Sequence, residues 1–365
     1  MKSLIFGYGI TGRSFARYLQ DKGIDFDIYD EEVRETPVFW QLPDREKLKS
    51  YEMVYLSPGI NIKKIYPNGE FDKIPYLTDL DIFFQEDNSY KIGITGTNGK
   101  STCCHHLNQI LSSAFNDSQL IGNIGKPVLD NINTGPAYSI IELSSFQLEK
   151  VKEIKLDLGV LLNIAPDHID HHGSFKEYSR VKNRIKESKV FKEESDPKKI
   201  WSIITGRHHS EVQGIVFENL PHRFERVWRD VDITFINDSK ATNLAALEFA
   251  LNKMGSAPYY LILCGDPNKE QYKNYKIIGP KKVFIFGAHA GEIYKRVSHP
   301  KKILLHNNNL LSVMRLIKDE FKNLTTHLQI LFSPGHPSGN DYKNFEERGD
   351  HFKQLIQEIF RDLSR

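Results

Sequence analysis

Short runs of consecutive apolar residues recur along the whole chain, and each is followed by a stretch with the 3.6-residue apolar spacing of a helix. Ser3–Phe6, Met53–Leu56, Lys91–Thr95, Tyr138–Ile141, Leu158–Leu162, Ile233–Ile236, Tyr259–Cys264, Lys282–Phe286 and Gln329–Phe332 read as strands. Several are apolar without alternation, as parallel strands covered on both faces require. Helical patterns that open on Asn, Ser or Thr fill the intervals, including Thr102–Leu111, Ser174–Ser188 and Phe345–Leu363. The fold class is therefore α/β. The polar run Gln85-Glu86-Asp87-Asn88 closes a first segment, residues 1–88. A second, 89–220, takes in the charged stretch Lys192–Lys199, and a third, 221–365, carries its own βαβ series.

Two of these strands run directly into glycine loops. Gly7-Tyr8-Gly9-Ile10-Thr11-Gly12 sits between a strand and a helix, with Asp30 at the end of the next stretch. Such glycines let backbone approach a diphosphate at a helix N-terminus, and the acid meets a sugar or base. The pattern suits a nicotinamide dinucleotide or another diphosphate-bearing nucleotide. Gly96-Thr97-Asn98-Gly99-Lys100-Ser101 follows the strand Lys91–Thr95, with Thr102 opening the helix. The strict phosphate-loop expression wants glycine where Ile94 stands. The physics survives: a backbone nest for phosphate oxygens, a Lys100 cation for the β and γ phosphates, and a Ser101 hydroxyl for Mg²⁺. Two nucleotide-type loops in separate segments argue against a simple dehydrogenase.

At 365 residues the chain buries sizeable cores without disulfides or structural metal. Lys plus Arg (49) nearly cancels Asp plus Glu (47), so a net +2 gives no bulk field for nucleic acid or membrane, and neither is expected as a partner. Cys103, Cys104 and Cys264 make no disulfide framework, the opening MKSLIFGYGI is too short for a signal peptide, and no apolar run is long enough to span a bilayer. A reducing cytoplasm is the expected compartment.

Thr95-Gly96-Thr97-Asn98-Gly99-Lys100-Ser101 resembles the ATP loop of the Mur ligases, which add amino acids during peptidoglycan synthesis. Glu142–Glu149 (ELSSFQLE), Leu220–Glu225 (LPHRFE), Asn237–Asn243 (NDSKATN) and Lys343–Gly349 (KNFEERG) resemble blocks of the D-glutamate-adding member, in family order. The resemblance implies a UDP-substrate-binding Rossmann-like domain, a central ATP-binding phosphate-loop domain with a mostly parallel sheet, and a Rossmann-like amino-acid-binding domain. It implies ATP as co-substrate, two Mg²⁺ ions, and UDP-N-acetylmuramoyl-L-alanine and D-glutamate as partners, with a monomer as the working state. Gly96–Thr102, Arg223 and Asp238 fall to ATP. Ser101, Glu142, His168 and, if carbamylated, Lys182 fall to the metal. Ile10, Thr11, Asp30, Ser57 and Asn123 fall to the UDP substrate; Lys240, Thr242, Ser338 and Phe345 fall to D-glutamate.

Read from the residues alone, Lys182 is a lysine covering an apolar helix face, since Tyr178 and Ile185 share its side. Asp167-His168-Ile169-Asp170-His171-His172 invites a transition metal, but nothing downstream closes a ligand set, and His171 and His172 read as loop residues. The chain also departs from the family. The stretch Asn183–Leu220 is short, His209 and Val212 stand where the family has asparagines, with Val212 on the adenine side, and Asn268 replaces a substrate lysine. Lys269, one position on, is expected to supply the missing charge. A different superfamily ligase, such as one adding glutamates to folate, and a nucleotide-binding relative without catalysis stand as alternatives.

Overall fold

In the computed structural model, the described residues are all except 1, 34–37, 40, 116, 231, 270–273, 306–308, 322–325 and 362–365; of Val38, Phe115 and Lys269 only the backbone is described. They form two compact units, Met1–Phe217 and Glu218–Arg365.

The first unit runs β1 (Ser3–Phe6), α1 (Ile10–Asp21), β2 (Phe26–Tyr29), β3 (Val38–Phe39), α2 (Arg45–Lys49), β4 (Val54–Leu56), α3 (Ile62–Ile65), β5 (Tyr76–Leu77) and α4 (Asp79–Glu86). It continues through β6 (Tyr90–Thr95), α5 (Lys100–Phe115), β7 (Ser118–Gly122), β8 (Tyr138–Glu142), α6 (Ser145–Lys150), β9 (Leu158–Leu161), α7 (Ile169–His172), α8 (Phe175–Asn183), β10 (Val190–Glu193) and α9 (Pro197–Thr205). Two five-stranded parallel sheets result, ordered β3-β2-β1-β4-β5 and β10-β9-β6-β8-β7. In each, the chain leaves a central strand, β1 or β6, and fills the sheet on both sides of it. The crevice at the carboxyl end of such a strand is where α/β sheets bind ligands, and both glycine loops begin there.

One apolar cluster joins the two sheets: Ile5, Phe15 and Phe83 of the first lobe pack in the same core as Ile141, Leu148 and Val181 of the second. Ser14 Oγ and the Arg17 guanidinium both donate to Asp130 across this seam.

The second unit contains β11 (Glu225–Arg229), β12 (Ile233–Asn237), α10 (Leu244–Lys253), β13 (Tyr259–Cys264), β14 (Tyr275–Lys276), β15 (Lys282–Ile285), α11 (Ala290–Arg296), β16 (Val297–Ser298), β17 (Lys302–Leu304), α12 (Leu310–Phe321), β18 (Leu328–Gly335) and α13 (Phe345–Phe360). Its main sheet is ordered β11-β12-β18-β13-β15-β17, parallel except for β11. The two faces carry separate cores, one around Phe235, Phe332 and Phe352, the other around Leu247, Leu261 and Ile293. The chain is thus an α/β protein with mostly parallel sheets.

The helix expected over Ser174–Ser188 is shorter. It is α-helical to Asn183 and tightens into a 3₁₀ turn over Arg184–Glu187. Arg184 is anchored sideways there, donating to the Leu148 and Val151 carbonyls at the end of α6. By contrast α5 starts two residues earlier than expected, at Lys100, and runs on to Phe115. Among the described residues no helix is long and apolar enough to cross a membrane.

Candidate functional site

The second lobe gathers the predicted phosphate loop with Asn123, Glu142, His168 and Lys182 around the end of β6. Gly99 has φ +84°, the left-handed conformation that lets the chain turn from β6 into α5. The loop is pegged from behind. Thr97 Oγ1 accepts the Ala165 N–H at 2.9 Å and lies 3.0 Å from the Tyr178 hydroxyl. Asn98 and Asn163 exchange hydrogen bonds, from Asn98 N to Asn163 Oδ1 at 3.0 Å and from Asn163 Nδ2 to Asn98 O at 2.9 Å. Lys100, in the first turn of α5, arches back so that Nζ donates to the Gly96 and Thr97 carbonyls at 2.8 and 2.9 Å. Ser101 is buried beside it, and Thr102 is half-buried. Backbone N–H groups, a helix N-terminus, an ammonium and a hydroxyl thus converge, the chemistry of a polyphosphate site.

Parallel pairing sets Glu142 against Ile94, so its carboxylate ends β8 beside the loop. It is 1% exposed. Oε1 accepts from Asn123 Nδ2 at 2.8 Å, while Oε2 has no hydrogen-bond partner among the described residues. A buried carboxylate oxygen left open is costly unless a cation completes it. Asn123, placed by sequence at the substrate, is here the residue that aims Glu142.

Lys182 is also 1% exposed. Its Nζ donates to Thr95 Oγ1 at 3.1 Å and stands 5.2 Å from the Tyr178 ring centroid. Burial, helped by the Lys100 charge and opposed by Asp167 and Glu142, pushes its pKa down to about 7. Burial and the lowered pKa set it apart from a lysine that reaches for solvent. His168 has φ +51° at the start of α7, and its ring packs edge-on against Phe146 at 5.0 Å. Phe146, Thr95, Tyr178 and Asn163 join the site only through the sheet order and the loop pegging, which no local sequence pattern shows.

In the first lobe, Ile10 is 77% exposed at the first position of α1, and Thr11 follows it. Asp30 closes the loop behind them, accepting the Tyr8 N–H at 2.6 Å as well as those of Glu32 and Val33. The Ser57 hydroxyl donates to the Gly7 carbonyl at 2.8 Å. Both side chains hold the glycine loop in shape.

In the second unit, Asp238 follows β12 and accepts from Ser333 Oγ at 2.8 Å and the Phe224 N–H at 3.0 Å. Burial pushes its pKa up to about 6. Arg223 lies between two residues held at positive φ, His222 at 61° and Phe224 at 49°. Such strain is characteristic of functional loops. Lys240 Nζ stands 3.7 Å from the Phe345 ring centroid, so these two are brought together as a cation on an aromatic face. Thr242 is half-buried and Ser338 is 9% exposed. The Lys269 side chain lies outside the described residues. Arg296 reaches its neighbours, donating to the Pro267 carbonyl at 2.7 Å and to Asn268 Oδ1 at 3.4 Å. Val212, back in the first unit, packs in the core with Ile200, Trp201 and Leu107, while His209, half-buried, opens the 3₁₀ turn that Val212 ends.

Residues 94–201, the stretch that holds the phosphate loop, Glu142, His168 and Lys182, match the family model of the Mur ligase middle domain. Over its length the chain is 28% identical to the UDP-N-acetylmuramoylalanine–D-glutamate ligase of Buchnera aphidicola subsp. Acyrthosiphon pisum, with 98% of each covered. It is also 28% identical to the enzyme of that name from Leptospira interrogans, with 100% of this chain and 98% of the relative covered. The Buchnera alignment runs over 442 positions against 365 residues here, so the relative holds segments that this chain lacks. Among solved structures, a pseudomurein peptide ligase type C from Methanothermus fervidus superposes with TM-score 0.60 at 15% identity, covering 98% of this chain and 100% of that one. A MurF ligase from Thermotoga maritima in complex with ADP gives 0.56 at 12% identity, covering 98% and 95%. The chain has the fold of the Mur ligases, and its phosphate-loop lobe matches that family's middle domain.

Proposed function

We propose that the chain is an ATP-dependent amide ligase that joins D-glutamate to UDP-N-acetylmuramoyl-L-alanine, releasing ADP and phosphate. The observation that carries this reading is the buried Glu142 carboxylate, with one open oxygen, set against a phosphate-type loop. The full-length similarity to D-glutamate-adding enzymes supplies the substrates.

Two divalent cations fit this reading. Ser101 and Glu142 would hold one and His168 the second, with Lys182 a further ligand once its neutral amine has added CO₂ and given up a proton to become a carbamate. When bound, Mg²⁺ supplies charge neutralisation at the phosphates and acyl oxygen. The loop N–H groups and Lys100 hold ATP and stabilise the charge spread over the transferring γ-phosphoryl group. The substrate carboxylate attacks that phosphorus, ADP leaves, and an acyl phosphate remains. The D-glutamate amine then adds to the acyl carbon, and collapse of the tetrahedral intermediate expels phosphate. Residues 1–88 bind the UDP end through Ile10, Thr11, Asp30 and Ser57, with Asn123 beside the muramoyl end. Residues 89–220 bind ATP, and residues 221–365 present Asp238 to the ribose and Arg223 to phosphate. Lys240, Thr242, Ser338, Phe345 and Lys269 receive D-glutamate. No side chain forms a bond to substrate; positioning and charge carry the rate.

The experiment is ADP release measured against a panel of UDP-muramoyl acceptors and amino acids. Turnover should require both UDP-N-acetylmuramoyl-L-alanine and D-glutamate, and Lys100→Ala should abolish it without moving the melting temperature. Turnover with a folate acceptor, or none with any pair, overturns the reading.

A further inference from the structure

The seam between the two lobes of the first unit holds a cluster that the ligase reading does not use. Glu149 on α6 and His171 and His172 on α7 each place one ligating atom within 4.8 Å of the other two. His171 Nε2 lies 2.7 Å from Glu149 Oε2. His172 is 8% exposed, its Nε2 pairs with Ser145 Oγ at 3.0 Å, and its Nδ1 has no hydrogen-bond partner among the described residues. With the ring proton on Nε2, the His172 Nδ1 lone pair is buried and open. Phe146 forms the common wall, packing edge-on against His171 at 4.5 Å and stacked on His172 at 5.8 Å.

We propose that Glu149, His171 and His172 form a binding site for a divalent transition metal of the Zn²⁺ class, separate from the phosphate-loop site, that ties α6 to α7. Two imidazoles and one carboxylate make a nitrogen-rich donor set, which favours Zn²⁺, Co²⁺ or Ni²⁺ over Mg²⁺. The sequence concealed it because the third ligand stands 22 residues before His171, on another helix.

Asn61 decides how tightly the site binds. Its Oδ1 caps α3 by accepting the Lys64 N–H at 3.1 Å, which turns Nδ2 toward His171 Nδ1, also at 3.1 Å. His171 then carries its proton on Nε2, pointed at Glu149. Metal binding at Nε2 requires that proton to move to Nδ1, with no net change in charge on the ring. The Asn61 amide must then turn to offer Oδ1, giving up the cap. An aspartate at 61 would accept from Lys64 N and from His171 Nδ1–H together, the carboxylate–histidine–metal arrangement that strengthens such sites.

The test uses the full chain, stripped with chelator and then titrated with Zn²⁺ in excess Mg²⁺, with bound zinc read by competition against a colorimetric chelator. One equivalent should bind. His171→Gln, which keeps polar groups toward both neighbours while removing the imidazole, and His172→Ala should each weaken binding at least about tenfold. Glu142→Gln should leave it unchanged, and Asn61→Asp should tighten it. Co²⁺ in place of Zn²⁺ should give a visible d–d spectrum that His171→Gln abolishes. Zinc uptake equal in both histidine variants, or lost in Glu142→Gln, overturns the assignment. So does absence of both the zinc equivalent and the cobalt spectrum in parent protein whose melting transition is intact.

Discussion

Glu142 and Arg348 are both buried charges, held in opposite ways. Arg348 is 0% exposed, and each nitrogen of its guanidinium donates to a neutral acceptor: Nε to Ser239 Oγ at 3.0 Å, Nη1 to the His336 carbonyl at 3.0 Å and Nη2 to the Ser239 carbonyl at 2.7 Å. It fastens the loop carrying Lys240 to the loop carrying Ser338. A lysine cannot reproduce that fork, so Arg348→Lys should cost about 2–4 kcal/mol, read as a lower denaturation midpoint of the second unit. Glu142 keeps one oxygen open, so its burial opposes folding and serves binding. In chelator, Glu142→Gln should melt no lower than the parent, while ADP formation falls by a factor of about 100 or more. A lower melting temperature with turnover retained would make Glu142 a structural residue. Asp79 provides the pH dependence. It is 4% exposed at the first position of α4, and burial pushes its carboxyl from 3.8 up to about 6. The folded state therefore holds this proton more tightly than the unfolded chain. The stability it contributes is full below the unfolded value and is lost as pH rises through about 6. Asp79→Asn should thus gain about 1–3 kcal/mol over the parent at pH 7 and little at pH 4, as urea titrations at the two pH values would show.

At the scale of the element, the strands legible in the sequence are those buried along their length. β1, β4, β8, β9, β12 and β13 are almost wholly buried, so apolar residues dominate their sequences. The strands that lack this apolar signal are edge or half-covered ones. β10 is mostly exposed at one sheet edge, and β7 is half-buried at the other; β11 is a half-exposed antiparallel edge and β2 is half-covered. Their side chains answer to solvent on at least one face, and the apolar signal breaks. The candidate site divides in the same way. The loop Gly96–Ser101 is local and readable, whereas the pairs Asn123–Glu142 and Lys182–Thr95 exist only once the strand order is known. The first glycine loop offers a direct check on the close approach of strand and helix. A Cβ on Gly12 would come within 2.0 Å of the Gly7 carbonyl oxygen, while one on Gly9 meets nothing within 4 Å. Gly12→Ala should therefore lower the melting temperature by several degrees, the equivalent of about 2 kcal/mol or more. Gly9→Ala, at an N-cap with φ −73°, should stay within about 1 kcal/mol of the parent. Equal melting temperatures for the two variants would mean that α1 sits further from β1 than the structure has it.

At the scale of the whole molecule, the number of sheets differs from the number of bodies. The first two sheets share one apolar cluster, in which Ile5, Phe15 and Leu80 of the first lobe pack with Ile121, Leu143 and Leu156 of the second. Residues 1–88 would expose that apolar face if cut away, at roughly 25 cal/mol for each Å² uncovered. They would also lose the Asp130 anchor for Ser14 and Arg17. Residues 218–365 have cores of their own, which line the two faces of their six-stranded sheet. Three fragments separate the possibilities. Residues 1–217 and residues 218–365 should each give a cooperative thermal transition by circular dichroism, with the urea slope expected for their size. Residues 1–88 should aggregate or melt without a transition. A cooperative transition in the 1–88 fragment near that of 1–217 would show that the shared cluster contributes little, and that each sheet of the first unit folds on its own core.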